Sequence, residues 1–166
     1  MIYKLIGIIT IGFIVISFFG NCKKIKFNKK CCEETYATSI DSSILALPNA
    51  FTPNDDGLND ILYVRGRNLS SISFTIKNNW KTVYESNDIN QGWDGVYNDN
   101  KKQKIYKFSL EATTINGKML SLDGSICLLF CSYNNTDFTK CQFDSQWIDS
   151  QFDPNVDSGE SFILCN

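Results

Sequence analysis

Residues 106–112 read YKFSLEA, and apolar and polar side chains alternate along them. A period of two places alternate side chains on opposite faces of a β-strand, so this pattern is typical of a strand with one buried face. The same alternation occurs in SISFTIK at residues 71–77, where Ile72, Phe74 and Ile76 form the apolar set. The two segments therefore predict two half-buried strands.

Turn signals separate these segments from their neighbours. Asn78-Asn79 interrupts the first one, and the pattern resumes at residues 80–85, which predicts a hairpin. Asn116-Gly117 is the strongest hairpin signal in the chain. Asp123-Gly124 predicts a further turn, followed by a strand with Ile126, Leu128 and Phe130 on one face.

The sum of these segments predicts an all-β fold. Residues 33–43 are polar and are interpreted as a loop, as are residues 86–104, and beyond residue 44 there is no sustained helical period. We expect an antiparallel immunoglobulin-like β-sandwich of about seven short strands, preceded by an N-terminal signal helix.

The composition excludes several classes of protein. The chain has 166 residues, which fits one domain once a signal is removed, and 13% of them are aromatic, too many for a disordered chain. A formal net charge of −2 does not suggest nucleic acid as a partner. Histidine is absent, so the commonest general base and the commonest zinc ligand are both missing.

The N-terminus has the features of an export signal. A short start with one lysine precedes an apolar run from Leu5 to Gly20. That run of about 16 residues would form a helix of ~24 Å, short of the ~30 Å hydrocarbon core of a bilayer. We therefore predict that residues 1–21 are a signal peptide and that the rest of the chain lies outside the cytoplasm.

Gly20-Asn21-Cys22 follows the apolar run directly and resembles the lipobox of bacterial lipoproteins. The resemblance implies cleavage before Cys22 and acylation of its thiol, and hence anchoring in the cell envelope, at the outer membrane or cell surface. An uncleaved membrane anchor and a plainly secreted form are the alternatives.

Residues 22–43 are interpreted as a lysine-rich tether. Five lysines follow Cys22 within eight residues: Lys23, Lys24, Lys26, Lys29 and Lys30. A solvated tether explains them, and a position close to anionic head groups is the sharper alternative.

Six cysteines remain if Cys22 carries lipid, and an even number in an exported chain predicts disulfides. They are Cys31, Cys32, Cys127, Cys131, Cys141 and Cys165. Six cysteines allow fifteen connectivities, but adjacent cysteines rarely bridge each other, and residues four apart on a strand lie too far apart to pair. We expect Cys141 to pair with Cys165, and the adjacent Cys31-Cys32 to pair with Cys127 and Cys131. Metal binding by these thiols is the alternative.

Ordered motifs over residues 47–130 resemble the gliding-motility-associated C-terminal domain, the type B sorting domain of type IX secretion. The opening motif at residues 48–60 is PNAFTPNDDGLND, and Asn78-Asn79-Trp80 and Gly92-Trp93-Asp94-Gly95 follow in the family's order. Tyr106-Lys107-Phe108 and residues 124–128, GSICL, complete the match. The resemblance implies a β-sandwich, which we place at residues 44–131. The acidic residues 132–166 lie beyond the family domain, and we expect them to form a disulfide-held extension.

The opening motif holds a candidate calcium site in Asn54, Asp55, Asp56 and Asp60. Calcium binds six to eight oxygens supplied by flexible acidic loops. The alternative is a structural turn in which Asn and Asp side chains bond the backbone and Gly57 adopts a positive φ. We favour the turn, and expect no cofactor.

Trp93 allows two interpretations. It is an exposed binding aromatic, as in carbohydrate-binding sandwiches, or it folds back and closes one end of the core, which we favour. Trp147, Phe143, Phe152 and Phe162 in the extension predict that this segment packs, most simply on its own domain.

No constellation for catalysis is evident, since a nucleophilic cysteine needs a base. We expect a non-enzymatic envelope lipoprotein whose sandwich acts as an interaction or structural module, with envelope or secretion-machinery proteins as possible partners. The alternatives are a genuine type IX sorting module, which in its family normally ends the chain, and a carbohydrate-binding module using Trp93.

Overall fold

The computed structural model describes residues 32–131 and 138–162. The predictions for the signal helix, for residues 22–31 with Cys22 and Cys31, and for Cys165 lie outside this range. Within it the chain is built from β-strands and one short 3₁₀ helix, Asp144–Gln146. No helix in these two ranges is long and apolar enough to span a bilayer.

Twelve strands follow one another along the described chain, and most are short. In chain order they are β1 (Tyr36–Ile40), β2 (Ser43–Leu47), β3 (Ala50–Phe51), β4 (Arg65–Arg67), β5 (Leu69–Asn78), β6 (Lys81–Ser86), β7 (Val96–Tyr97), β8 (Asn100–Lys101), β9 (Lys104–Thr114), β10 (Met119–Leu128), β11 (Trp147–Ile148) and β12 (Gln151–Phe152).

Two main sheets form the predicted sandwich. One has three strands in the order β1-β2-β4, and the other has five in the order β3-β10-β9-β5-β6. Every pairing in these sheets is antiparallel except that of β3 with β10, which is parallel. The all-β sandwich is confirmed, and the β3–β10 pair is the one parallel pairing in these two sheets.

The core lies between the two sheets and uses the predicted faces. The alternating apolar sets of β5 and β9 are buried, namely Ile72, Phe74, Ile76, Tyr106, Phe108, Leu110 and Ala112. The Tyr36 ring of β1 meets the Phe108 ring edge to face, with centroids 4.8 Å apart, and so joins the two sheets. The hairpins at Asn78-Asn79 and Asn116-Gly117 are also confirmed, since β5 pairs with β6 and β9 with β10.

The turn predicted at Asp123-Gly124 is wrong, because both residues lie inside β10. Gly124 has another role there: a Cβ at this position would lie 2.4 Å from the Tyr36 ring. The Tyr36 hydroxyl also accepts a hydrogen bond from the backbone N–H of Ser125, at 2.9 Å. Gly124 therefore makes room for an aromatic ring from the facing sheet.

The loop predicted at residues 33–43 is also wrong, because it contains β1 and the start of β2. β1 is an edge strand with the sequence YATSI, and Tyr36 is its one buried side chain. The long loop predicted at residues 86–104 is likewise more ordered than expected, since β7 and β8 form a small hairpin within it.

Candidate functional site

The acidic part of the opening motif is organised around the Asp60 carboxylate. Its Oδ1 accepts a hydrogen bond from the backbone N–H of Asp55, and its Oδ2 accepts one from that of Gly57, both at 2.7 Å. Gly57 has φ +88°, the left-handed conformation that the turn interpretation requires. The expectation for Gly57 is confirmed, and both oxygens of Asp60 are engaged by the backbone.

The other polar side chains of this loop also have partners. Asn54 accepts from the backbone N–H of Asp56, and Asp56 accepts from that of Leu58. Asp55 forms an ion pair with Lys101, at 2.8 Å. Across the described residues, no three His, Cys, Asp or Glu side chains are arranged to hold a metal ion. The structural turn accounts for these residues, and the response to calcium stays a prediction.

The opposite side of the opening motif is buried, although it is polar. Asn49 and Thr52 are each 1% exposed, and Asn59 is 9% exposed. Buried polar side chains must find hydrogen-bond partners to offset the loss of water. These three find them mainly in residues 138–162, called here the covering segment.

Asn49 makes three of these bonds. Its Oδ1 accepts from the backbone N–H of Gln142 at 2.7 Å, and its Nδ2 donates to the carbonyl oxygens of Lys140, at 3.2 Å, and Glu34, at 2.9 Å. One buried amide therefore joins the opening motif to the covering segment and to the residues before β1.

Glu160 joins the covering segment to Thr52 and Asn59. Its Oε1 accepts from the Thr52 hydroxyl at 2.5 Å and from Asn59 Nδ2 at 2.7 Å. Asn59 Oδ1 in turn accepts from the backbone N–H of Ser145 at 2.9 Å. Burial raises the pKa of Glu160, although the bonds from Thr52 and Asn59 act in the opposite direction.

An ion pair attaches the covering segment to the three-stranded sheet. Arg65 of β4 faces Asp144 in a bidentate arrangement, with Nε donating to Oδ1 at 2.7 Å and Nη2 to Oδ2. Burial raises the pKa of Asp144, against the opposing effect of the guanidinium.

A disulfide between Cys32 and Cys141 completes the attachment. The predicted pairing of Cys141 with Cys165 is therefore wrong, as is that of Cys32 with Cys127 or Cys131. The spacing argument could not find this bridge, because it depends on β1 and the covering segment meeting beside β3. Cys127 and Cys131 are also disulfide-bonded.

A second apolar cluster lies under this bridge. Phe143, Leu129 and Ala50 are buried there with Cys32, Cys127 and Cys141. Phe138 and Phe162 stack with centroids 4.3 Å apart and pack against it. The prediction that the extension packs on its own domain is confirmed for residues 138–162.

Trp93 lies in the main core and is 2% exposed. The centroid of its ring lies 4.8 Å from that of Tyr106, which it meets edge to face, and 5.3 Å from that of Phe51, which is tilted against it. Its Nε1 donates a hydrogen bond to the Val96 carbonyl. Gly95, with φ +80°, allows the sharp return that places this ring inside. The closing role is confirmed, and the carbohydrate-binding interpretation fails because it requires an exposed Trp93.

These features define a β-sandwich with an added segment fastened over its opening motif. The chain matches the CHU_C type IX secretion signal domain over residues 45–128, half of its length, and it belongs to this family. No curated protein matches it. Membership makes the sandwich a sorting-related module and places the protein outside the cytoplasm or at the cell surface. The covering segment lies beyond the matched residues.

Two features of the structure were not predicted from the sequence. Asn49, Thr52 and Asn59 belong to the quoted motif, but nothing in their spacing distinguishes the buried amides from the exposed Asn54. Trp80 was assigned to a strand, whereas it lies in the β5–β6 turn and is 98% exposed.

Proposed function

We propose that this protein is a non-enzymatic lipoprotein of the cell envelope that presents its sorting-family sandwich as an interaction or structural module. The observation that carries the proposal is the attachment of the covering segment to the opening motif. The side chains of Asn49 and Asn59 bond to residues outside the family match, and the Thr52 hydroxyl, which also lies 3.5 Å from the Leu58 carbonyl, donates its shorter bond to Glu160.

This attachment supports a role as a folded body. The covering segment is fixed at four places: by Asn49, by the bonds of Glu160 to Thr52 and Asn59, by the Arg65–Asp144 ion pair and by the Cys32–Cys141 disulfide. The sandwich and the segment therefore form one structural unit, and the side of the motif that carries Asn49 and Thr52 is closed to other proteins.

The proposed anchor is supported by the sequence alone. Gly20-Asn21-Cys22 ends an apolar run of signal-peptide length, and acylation at Cys22 would tether the sandwich to a membrane. Growth with a clickable fatty acid tests this. We expect label on the wild-type chain and none on Cys22→Ala; equal labelling of the two rules out the anchor.

The non-enzymatic role is supported by the partners of the two half-buried carboxylates, Asp144 and Glu160. Asp144 is held by Arg65, and Glu160 by Thr52 and Asn59, so both serve the attachment of the covering segment. A general acid or base needs a carboxyl group directed at a substrate.

A genuine type IX sorting module is the second candidate, and the family match favours it. Fusion of a reporter in front of residue 32 distinguishes the two, in a bacterium with type IX secretion and in its secretion-deficient mutant. An interaction module leaves the reporter in the same compartment in both strains. Surface delivery that depends on the secretion system would establish the sorting role instead.

A further inference from the structure

The end of the sandwich formed by the β5–β6 turn carries an exposed tryptophan among lysines. Trp80 is 98% exposed and extends from the turn between Asn78 and Lys81. A large aromatic side chain in water is unusual on a folded surface, and Trp favours the interface between a membrane and water. We define this end by Trp80 and the five lysines around it.

The strand register brings these lysines together. Lys77 of β5 lies directly opposite Lys107 of β9, and Lys81 opens β6 opposite Asn78. Lys104 donates to the Asn78 side chain, and Lys102 lies two residues before it in the chain. Across residues 32–131 and 138–162, none of these five lysines forms an ion pair.

Like charges directly opposite each other in a sheet are destabilising. The Lys107 ammonium donates to the neutral Ser125 hydroxyl at 2.8 Å, so the charges of Lys77 and Lys107 are not neutralised by an ion pair among the described residues, and an anionic partner would relieve their repulsion. Within the five-stranded sheet the acidic side chains begin two residues further from the tip, at Glu85 and Asp123, which flank Thr75 and Ser109. The positive charge of this sheet is therefore concentrated at the end that carries Trp80, where Glu34, bonded to the Tyr36 hydroxyl, is an acidic neighbour from outside the sheet.

The chain enters the sandwich at the same end. Tyr36, at the start of β1, lies beside Gly124 and Ser125, and Ser125 pairs with Lys107. The opposite end of β1 lies near the β9–β10 turn, where Asp41 bonds Lys118. Cys32 lies ten positions after Cys22, so the chain between them can span at most ~35 Å. An acyl anchor at Cys22 would thus keep the Trp80 end close to the bilayer.

We propose that this end docks on an anionic lipid surface, with Trp80 at the interface and the lysines facing the head groups. The orientation rests on the proposed anchor at Cys22, whereas the exposed aromatic and the lysines without an ion pair do not. Lysines near a negatively charged leaflet each strengthen binding, and interfacial aromatics add burial.

The test uses the mature chain, residues 22–166, carrying Cys22→Ser so that no acyl chain contributes. Trp93 and Trp147 are 2% and 6% exposed, so a change in tryptophan emission reports chiefly on Trp80. With phosphatidylglycerol vesicles at low salt we expect a blue shift and co-sedimentation. Both should be lost with phosphatidylcholine vesicles, and on raising the salt concentration to ~1 M.

Trp80→Ala should lower the affinity for phosphatidylglycerol vesicles, measured by co-sedimentation, about tenfold, and Lys77→Gln or Lys107→Gln should lower it about fivefold each. Ile115→Ala is the matched control: Ile115 is 62% exposed but lies in the turn at the other end, and its loss should change nothing. Equal binding by Trp80→Ala and the wild type, or a response to soluble dextran sulfate but not to vesicles, would overturn the proposal. Fatty-acid labelling of Cys22 is scored separately, so either result leaves the other interpretable.

Discussion

Glu160 Oε1 lies 2.7 Å from Nδ2 of Asn59, a residue 101 positions earlier in the chain. Asn59 belongs to the opening motif that carries the family resemblance, whereas Glu160 lies in the covering segment. This bond, with those of Asn49, makes one side of the motif an internal joint, while residues 54–58 stay exposed.

Replacing Asn49 with alanine should destabilise the protein by about 2–4 kcal/mol. The change removes three hydrogen bonds and leaves the Gln142 N–H without its acceptor, and each unsatisfied buried group costs about 1–3 kcal/mol. Urea unfolding measures the effect. Asn87→Ala, at an exposed position, is the control and should lie within about 0.5 kcal/mol of the wild type. An equally small effect at Asn49 would contradict the joint.

Replacing Glu160 with glutamine should reduce the pH dependence of stability. Burial raises the pKa of this carboxyl above its ordinary value, so the folded protein holds its proton more tightly than the unfolded chain does. The contribution of Glu160 is therefore greatest below its unfolded-state pKa and is lost as the pH rises through the folded-state pKa. Glutamine can accept the same two hydrogen bonds without the charge.

The free energy of unfolding, measured from pH 4 to pH 8, checks this prediction. Glu160→Gln should flatten the decline across the mildly acidic range and equal or exceed the wild type in stability at pH 7. Asp157→Asn is the control, since Asp157 is exposed in the same segment. A steeper decline in Glu160→Gln would show that the charge itself stabilises the joint.

Removing the Cys32–Cys141 bridge should loosen the covering segment. The bridge closes a loop over 109 positions, so Cys32→Ser with Cys141→Ser should cost about 2–5 kcal/mol. The double variant leaves the disulfides of Cys127 and Cys131 intact, whereas a reducing agent would break them as well. Limited proteolysis should cut residues 138–162 faster than in the wild type, and unchanged stability with unchanged cleavage would contradict the role of the bridge.

Thiol counting tests the cysteine framework as a whole. The denatured, unreduced wild type should show no reactive thiol among the six cysteines other than Cys22. Four of these six, Cys32, Cys127, Cys131 and Cys141, are disulfide-bonded in the structure. Two or more reactive thiols would contradict the prediction.

The sequence predicted the long strands well because their signal is local. Side chains in β5 and β9 alternate over many residues, and burial of one face requires that alternation. β1 gave no such signal, since it is an edge strand with a single buried anchor, Tyr36. Gly124 was misread because glycine marks a turn as readily as it marks a close approach to a ring.

The joint itself could not be predicted from local patterns. Asn49 and Gln142 are 93 positions apart, and their bond depends on where the whole sandwich places β3. The Cys32–Cys141 pairing has the same cause, because a connectivity is a fact of three dimensions. The exposure of Trp80 was missed since alternation assigns no face to a residue within a turn.

The opening motif should behave as a structural turn and not as a calcium site. A Cβ on Gly57 would meet nothing within 4 Å, so Gly57→Ala should cost roughly 1 kcal/mol through its φ of +88° alone. Gly117→Ala is the matched control, with φ +77° and equally open space in another turn.

Calcium would have to displace the backbone N–H groups of Asp55 and Gly57 from Asp60. A site filled at 100 times its dissociation constant would stabilise by about 2.7 kcal/mol, or roughly 5–10 °C in melting temperature. We expect calcium and a chelator to shift the melting temperature far less than this, and a rise of that order would instead make Asp55, Asp56 and Asp60 ligands.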